Sequence, residues 1–226
     1  MYPVILIFTV FLLSLSLNRL VSATAAKDSR KVRHYFDRWY PDRSSSAAGL
    51  FRRGEKERLA AVAGWLPHLE GMSVLDAGCG DGRLLAQTMH GTPRLLRLED
   101  IVARNVLAAS RLLKNRADRL EAVAADIGIP PDRRKFDVVL ALGITDYYMD
   151  WPGMIRCLLA RTESTLLIDF PRGNTLHSRL RKLWLALFGL GLHATDRGTL
   201  NCLLAGMGLK FEITSQRLNW LVKIEV

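Results

Sequence analysis

The chain has 226 residues, with 49% hydrophobic and 24% charged side chains, which suits one globular domain with a short appendage. Its net charge is +10, and Arg19 is the sole charge in residues 1–26, so the rest carries 31 basic against 22 acidic side chains. That balance favours an anionic partner, such as nucleic acid, an acidic membrane surface or a carboxylate- or phosphate-bearing small molecule. Cys79, Cys157 and Cys202 are scattered with no C-x-x-C pair, which argues against a disulfide framework or a zinc site, and no metal site is expected.

The N-terminus reads apolar from Val4 to Leu17, followed by small residues at Ser22, Ala23 and Ala25. A secretory signal has this pattern, with cleavage after Ala23. No Lys or Arg precedes the run, however, whereas Arg19, Lys27, Arg30, Lys31 and Arg33 follow it. By the positive-inside rule this places the following domain in the cytoplasm. A run of roughly 18 apolar residues is marginal for crossing a bilayer. Three outcomes fit residues 1–26: a membrane anchor facing the cytoplasm, a start codon set too far upstream, or a cleaved signal.

Residues 27–70 read as an N-terminal helical cap. A short helix is expected around Val32–Trp39, then a Ser-rich loop, then a helix in "GEKERLAAVAGWLPHL". From about residue 71 strands and helices alternate. Strands are expected at Ser73–Ala77, Arg94–Leu98, Glu121–Ala125, Phe136–Leu142 and Thr165–Phe170. Helices are expected at Gly82–Met89, Ala103–Asn115, Trp151–Ala160 and Thr199–Met207. "LKFEITSQR" and "NWLVKIEV" close the chain as an antiparallel hairpin at a sheet edge. Such alternation predicts an α/β, Rossmann-like, seven-stranded, mostly parallel sheet with helices on both faces and an antiparallel C-terminal strand.

The first strand runs into "SVLDAGCGDGRLL", residues 73–85. A glycine loop between a strand and a helix lets a nucleotide-like ligand approach the backbone and the free N–H groups of the helix. The spacing D-x-G-x-G-x-G, Asp76 to Gly82, is not the dinucleotide fingerprint G-x-G-x-x-G. An acid at the end of the strand suits a cationic ligand portion, such as an ammonium or sulfonium, better than a pyrophosphate.

"VLDAGCGDGRLL" resembles motif I of the class I S-adenosylmethionine-dependent methyltransferases, and the resemblance extends from about Gly71 to the C-terminus. It implies S-adenosylmethionine as cofactor. The acid and glycines of the motif, Asp76, Gly78, Gly80 and Gly82, would then face its methionine part. An acid closing the second strand would hold the ribose hydroxyls. "RLLRLED" offers Glu99 and Asp100, and Asp100 is favoured, 18 residues beyond Gly82, with Glu99 the alternative. Val102 stands two positions on, where the family usually has Ser. After the third strand, "VAADIGIPP" offers Asp126 for the adenine amino group and Ile127 for its ring. Helix or turn capping is the competing reading of Asp100 and Asp126.

In this fold the fourth strand ends near the transferred methyl group. Here "LGITDYYMDWPG" follows it, which places Gly143 beside the cofactor, Tyr147 as a catalytic candidate and Tyr148 as a substrate contact. Packing under a loop is the alternative for both tyrosines. A helical insertion at about 172–195 comes next. Leu176, Leu180, Leu183, Trp184 and Leu187 share one face of it, with Arg179, Arg181 and Lys182 mostly off that face. The 176–190 segment is therefore expected to be a lid over an apolar substrate, an interfacial helix at a membrane, or core packing. His177 is the candidate base, and Arg172 a candidate contact for an anionic substrate. The aromatic N-terminal helix, with Tyr35, Phe36 and Trp39, would close over the cofactor, and Tyr35 would touch substrate.

"VRHYFDR" and "RTESTLLIDFPRGNTL…RKLWLALFG" also resemble the magnesium-protoporphyrin O-methyltransferases, which implies a lipophilic, anionic acceptor near a membrane. The function expected is in-line methyl transfer to an oxygen or nitrogen of a small molecule. The alternatives are an RNA methyltransferase, motivated by charge and by "RRGEKER" and "DRRK", and a non-catalytic partner that keeps the fold as scaffold. Against RNA, no N-P-P-Y-like motif follows the fourth strand, and no RNA-binding module is appended.

Overall fold

The computed structural model describes residues 29–38, 55–173 and 175–226. The readings that concern residues 1–26, Trp39 and the side chain of Leu176 fall outside what is described. In chain order the elements are α1 (Ser29–Arg38), α2 (Glu55–Trp65), β1 (Ser73–Ala77), α3 (Arg83–Thr88), β2 (Leu95–Asp100), α4 (Ala103–Leu113), β3 (Leu120–Ala124) and β4 (Phe136–Ala141). A short 3-10 turn at Thr145–Tyr147 precedes α5 (Trp151–Leu159), β5 (Thr162–Pro171), α6 (Leu176–Ala186), α7 (Arg197–Gly206), β6 (Lys210–Ser215) and β7 (Asn219–Glu225).

The seven strands lie in the order β3-β2-β1-β4-β5-β7-β6. β1 to β5 run parallel, and β7 lies antiparallel to both β5 and β6. The closing hairpin is therefore wedged in: β7 enters beside β5, and β6 becomes the edge. Apolar side chains fill both faces, as a sheet covered by helices requires. On one face Leu75, Val139, Leu166, Phe170 and Ile224 pack with Ile155 and Leu158 of α5 and Leu200 and Leu204 of α7. On the other, Val74, Leu96, Leu98, Leu140 and Leu221 pack with Val62 of α2, Leu85 of α3 and Leu113 of α4.

Several boundaries differ from the sequence-based expectation for identifiable reasons. β5 starts three residues earlier because Phe136 pairs with Thr162, and its far end is prolonged by pairing with β7. α7 starts at Arg197 because Asp196 caps it, accepting from the Thr199 amide at 3.0 Å. β2 continues through Glu99 and Asp100. This matters for the site, because side chains alternate across a strand and the two acids therefore lie on opposite faces.

Candidate active site

The carboxyl ends of the parallel strands gather one set of polar residues, where ligands of open α/β sheets are held. β1 carries Asp76 one residue before its end, β2 ends on Asp100, and β3 leads into Asp126. β4 leads into Gly143, and β5 carries Asp169.

The glycine loop has its shape because three glycines take positive φ: Gly78 at 85°, Gly80 at 54° and Gly82 at 78°. At Gly78 an added Cβ would run into the Ile144 side chain. At Gly82 it would stand 3.0 Å from the Ala109 backbone, so that glycine also lets α4 close on the start of α3. The loop hangs from the end of β2. Amides of Gly78 and Cys79 donate to the Glu99 carbonyl at 2.7 and 3.0 Å, and the Gly80 amide donates to Asp100 Oδ2 at 3.0 Å. Asp100 Oδ1 accepts from the Val102 amide at 2.8 Å and from Asn105 Nδ2 at 3.3 Å. Burial raises the Asp100 carboxyl above its ordinary value, against these hydrogen bonds.

The two acids of β2 separate clearly. Glu99 is fully buried and bound by Arg161 through both oxygens, at 2.7 and 2.8 Å, and by Arg97 Nε at 2.7 Å. Arg97 in turn reaches Asp132 at 2.7 Å. No helix forms over 125–135, and these ion pairs close the sheet face beside that loop. Glu99 is consumed by this network, and of the two only Asp100 faces the loop.

Asp76 is buried beneath the glycines, and its carboxyl is pushed up to about 7 by burial and by Asp100, while Arg58 opposes the rise. A buried acid whose pKa is raised in this way is stabilised in its charged form by any further cation that enters.

Asp126 Oδ1 accepts from the Gly128 amide at 2.9 Å and from the Tyr148 hydroxyl at 2.8 Å. Tyr148, expected against substrate, is thus set beside the acid after β3, and burial and Asp126 push its hydroxyl up. Ile127 is buried, and its Cδ1 lies 3.7 Å from where a Gly78 Cβ would be. Gly143, with φ of 80°, donates its amide to Asp169 Oδ1 at 2.6 Å.

Arg58 of α2 was not singled out from the sequence, yet it occupies the middle of this edge. Its Nη2 lies 2.9 Å from Asp169 Oδ2, and 3.1 Å from where a Gly143 Cβ would be. Its Nε is buried with no acceptor among the described residues. A recognisable signal did exist: Arg58 stands four residues before Val62 and eight before Leu66, on the helix face that enters the core.

A cover lies over the site. Tyr35, Leu185, Leu190 and Leu192 form a buried cluster with Val32, Phe36, Tyr147 and Phe188 around them. The Trp184 indole donates to the Tyr35 hydroxyl at 3.2 Å, and the Phe36 ring lies 5.1 Å from that of Tyr147. α1 is also tied across to α4, where Arg104 donates to the Phe36 carbonyl. α1 and α6 therefore clasp each other beside the 3-10 turn. Beneath them Arg181 pairs with buried Asp146 and donates to the Tyr147 hydroxyl at 3.0 Å. Burial raises the Asp146 carboxyl, and Arg181 counters it. His177, one turn before Arg181, is held below its ordinary value by burial and by that guanidinium.

Arg172 sits elsewhere. Its guanidinium lies 4.6 Å over the Trp220 ring and donates to the Gln216 carbonyl at 2.8 Å, so the structure uses it to pin the β6–β7 turn.

Comparison with known proteins puts this arrangement in context. No protein-family model matches the chain. A stretch of 90 residues is 31% identical to the ubiquinone biosynthesis O-methyltransferase of Methylocella silvestris, covering 39% of this chain and 35% of that protein. The match thus spans about a third of that relative's length. Among solved structures, magnesium protoporphyrin IX methyltransferase of Synechocystis with bound SAH superposes with a TM-score of 0.66 at 23% identity, over 88% of this chain and 99% of that one. The same enzyme with bound SAM gives 0.62 at 22%, over 88% and 98%. A putative methyltransferase of Haloferax volcanii, in complex with the activator Trm112, gives 0.62 at 16%, over 79% and 95%. The fold is that of the class I S-adenosylmethionine-dependent methyltransferases.

Proposed function

We propose that the chain is an S-adenosylmethionine-dependent methyltransferase whose acceptor is a small, lipophilic or anionic molecule. The observation that carries this reading is the set of acids at one sheet edge: Asp76 under the glycine loop, Asp100 tied to that loop, and Asp126 one strand further on.

The donor set fits the cofactor. Asp76 would hold the cationic methionine end, and the vacant Nε of Arg58 would meet its carboxylate. Each carboxylate oxygen has two lone pairs, so Asp100 can keep the Gly80 amide and still accept from ribose hydroxyls. Asp126 and Ile127 would receive the adenine, with Gly80, Gly82 and Gly143 giving the backbone close approach. When bound, S-adenosylmethionine would supply an electrophilic methyl group to be passed in line to an acceptor oxygen or nitrogen, leaving S-adenosylhomocysteine as the neutral thioether.

The chain's own task is to place that acceptor and exclude water. Tyr35, Phe36 and Phe188 would wall off the site from above, and Tyr147, held by Phe36 and Arg181, would lend it an aromatic wall. Arg181 would attract an acceptor acid. A carboxylate acceptor needs no base. A hydroxyl or amine acceptor would pass its proton to His177, which is neutral at pH 7 because its pKa is held down. The domain would work at the cytoplasmic side of a membrane, in keeping with the basic residues that follow the apolar run at Val4–Leu17.

Two measurements test this. Titration calorimetry should detect cofactor binding that Asp100→Ala weakens; no binding would mean a scaffold protein. A labelled-methyl assay over a lipophilic extract and RNA should label the extract, and incorporation into RNA alone would replace the acceptor class.

A further inference from the structure

α6 has two opposed faces, and only one of them is used. Its inner side buries Ser178 and Leu185 and sends Arg181 to Asp146 and Tyr147. Its outer side is apolar and open to solvent: Leu180 is 55% exposed, Trp184 44% and Leu187 67%, with Leu183 half-buried between them. At spacings of four and three residues these side chains form one stripe along the helix. The core-packing alternative for this stripe is therefore corrected at Leu180 and Leu187, which face solvent, while Trp184 is partly exposed with its indole nitrogen turned to Tyr35. Isolated exposed leucines need no explanation, but a contiguous stripe capped by an indole does.

We propose that this outer face of α6 lies in the headgroup region of an anionic phospholipid bilayer. Three features favour that occupant. The first is charge: beside the stripe α6 carries Arg179 and Lys182 and no acid, and α1, clasped to it through Trp184 and Tyr35, exposes Lys31, Arg33 and His34 against the single acid Asp37. A helix with an apolar face, basic flanks and a tryptophan at the boundary is the pattern of an interfacial helix. The second is self-repulsion, because a second copy of this chain on the same stripe would bring these basic groups against their own kind. The third is sequence: the chain that leads into α1 holds the uncharged run Val4–Leu17, a second apolar segment suited to a lipid environment. Among the described residues no helix is long and apolar enough to cross a membrane, so the contact proposed is along the surface. Seated this way, α6 would have lipid on one face and the proposed acceptor site on the other. The proposal does not depend on the methyltransferase reading.

The test uses the full chain and phosphatidylcholine vesicles with or without a third of phosphatidylserine. Leu187→Cys, in a Cys202→Ser background, carries a polarity-sensitive fluorophore; Cys79 and Cys157 are less exposed. The label should shift to the blue on anionic vesicles only, and doxyl-labelled lipid should quench it. The double variant Leu180→Gln/Leu187→Gln should co-sediment about tenfold more weakly than the parent. Both positions are exposed, and circular dichroism will confirm that the double variant folds. Co-sedimentation with the label still in water would overturn the proposal, as would an equal shift on neutral vesicles. A shift that grows with protein concentration, without vesicles, would assign the stripe to a second copy of the chain instead. Calorimetry with the cofactor on the same samples reports separately on the methyltransferase reading.

Discussion

Asp100 holds Gly80: the carboxylate that ends β2 accepts the amide of the central loop glycine at 3.0 Å, across 20 positions of sequence. The acid is thus both a proposed ribose contact and the tether of the loop that would cradle the methionine end. Its replacement should affect both ends of one ligand. Asp100→Ala should weaken cofactor binding by about 2 kcal/mol, or about thirtyfold, with Asp100→Asn intermediate because it keeps one acceptor oxygen. Calorimetry on the purified variants checks this ordering.

Asp76 gives a pH signature. Its carboxyl titrates near 7 in the folded chain and near 3.8 when unfolded. Between these values the folded state binds the extra proton, so this group makes stability fall as pH rises from about 4 to about 7 and then level off. Asp76→Asn removes that loss. The variant should melt higher than the parent at about pH 8, by on the order of 2 kcal/mol, with the gap closing toward about pH 4. It should also lose cofactor binding.

Cofactor binding should itself move protons. A cationic ligand beside Asp76 favours the carboxylate, so binding near pH 7 should release roughly half a proton, and affinity should fall as pH drops below 7. Calorimetry in buffers of different ionisation enthalpy measures the number directly. A proton count of zero at pH 7 would place the cation elsewhere.

Gly78 tests the loop sterically. Gly78→Ala must hold a positive φ of 85° and meet Ile144, which together should cost about 3 kcal/mol in urea unfolding. Adding Ile144→Ala should recover the collision part while leaving the backbone part, so a double-mutant cycle separates the two.

Arg58→Met should cost about 3 kcal/mol of stability, because Asp169 is buried and, among the described residues, its side chain keeps the Gly143 amide and Asn219 as partners. Arg58→Lys should keep most of that stability and still lose about tenfold in cofactor affinity, since an ammonium cannot offer the Nε donor. An Arg58→Lys variant with parental affinity would remove Arg58 from the cofactor site.

Much of this was legible from the sequence, and for physical reasons. β1 and β4 are short apolar runs bounded by turn residues, and the acid–glycine spacing is a local pattern, so local reasoning reaches them. Choosing between Glu99 and Asp100 required knowing which face each occupies. Glu99 is explained by Arg161, 62 residues away, a partner that no local pattern announces. Arg58 looked like one charge among several in "GEKERLA", and its meaning depends on Asp169 from β5. The periodicity of α6 revealed a stripe but not its direction, because the inward side of a helix is set by what lies beneath it. Arg172 shows the same limit: its ring and carbonyl partners come from the last two strands.

The wedged position of β7 has a consequence for how the chain acquires its shape. β6 is made before β7 but has no neighbour in the sheet until β7 arrives, and β5 waits for the same strand. A nascent chain that has not yet released Asn219–Glu225 therefore leaves the outer edge of β5 and both edges of β6 open at once. Such edges invite pairing with other chains. Synthesis that stalls just short of this strand should yield the species of this protein that chaperones bind most strongly.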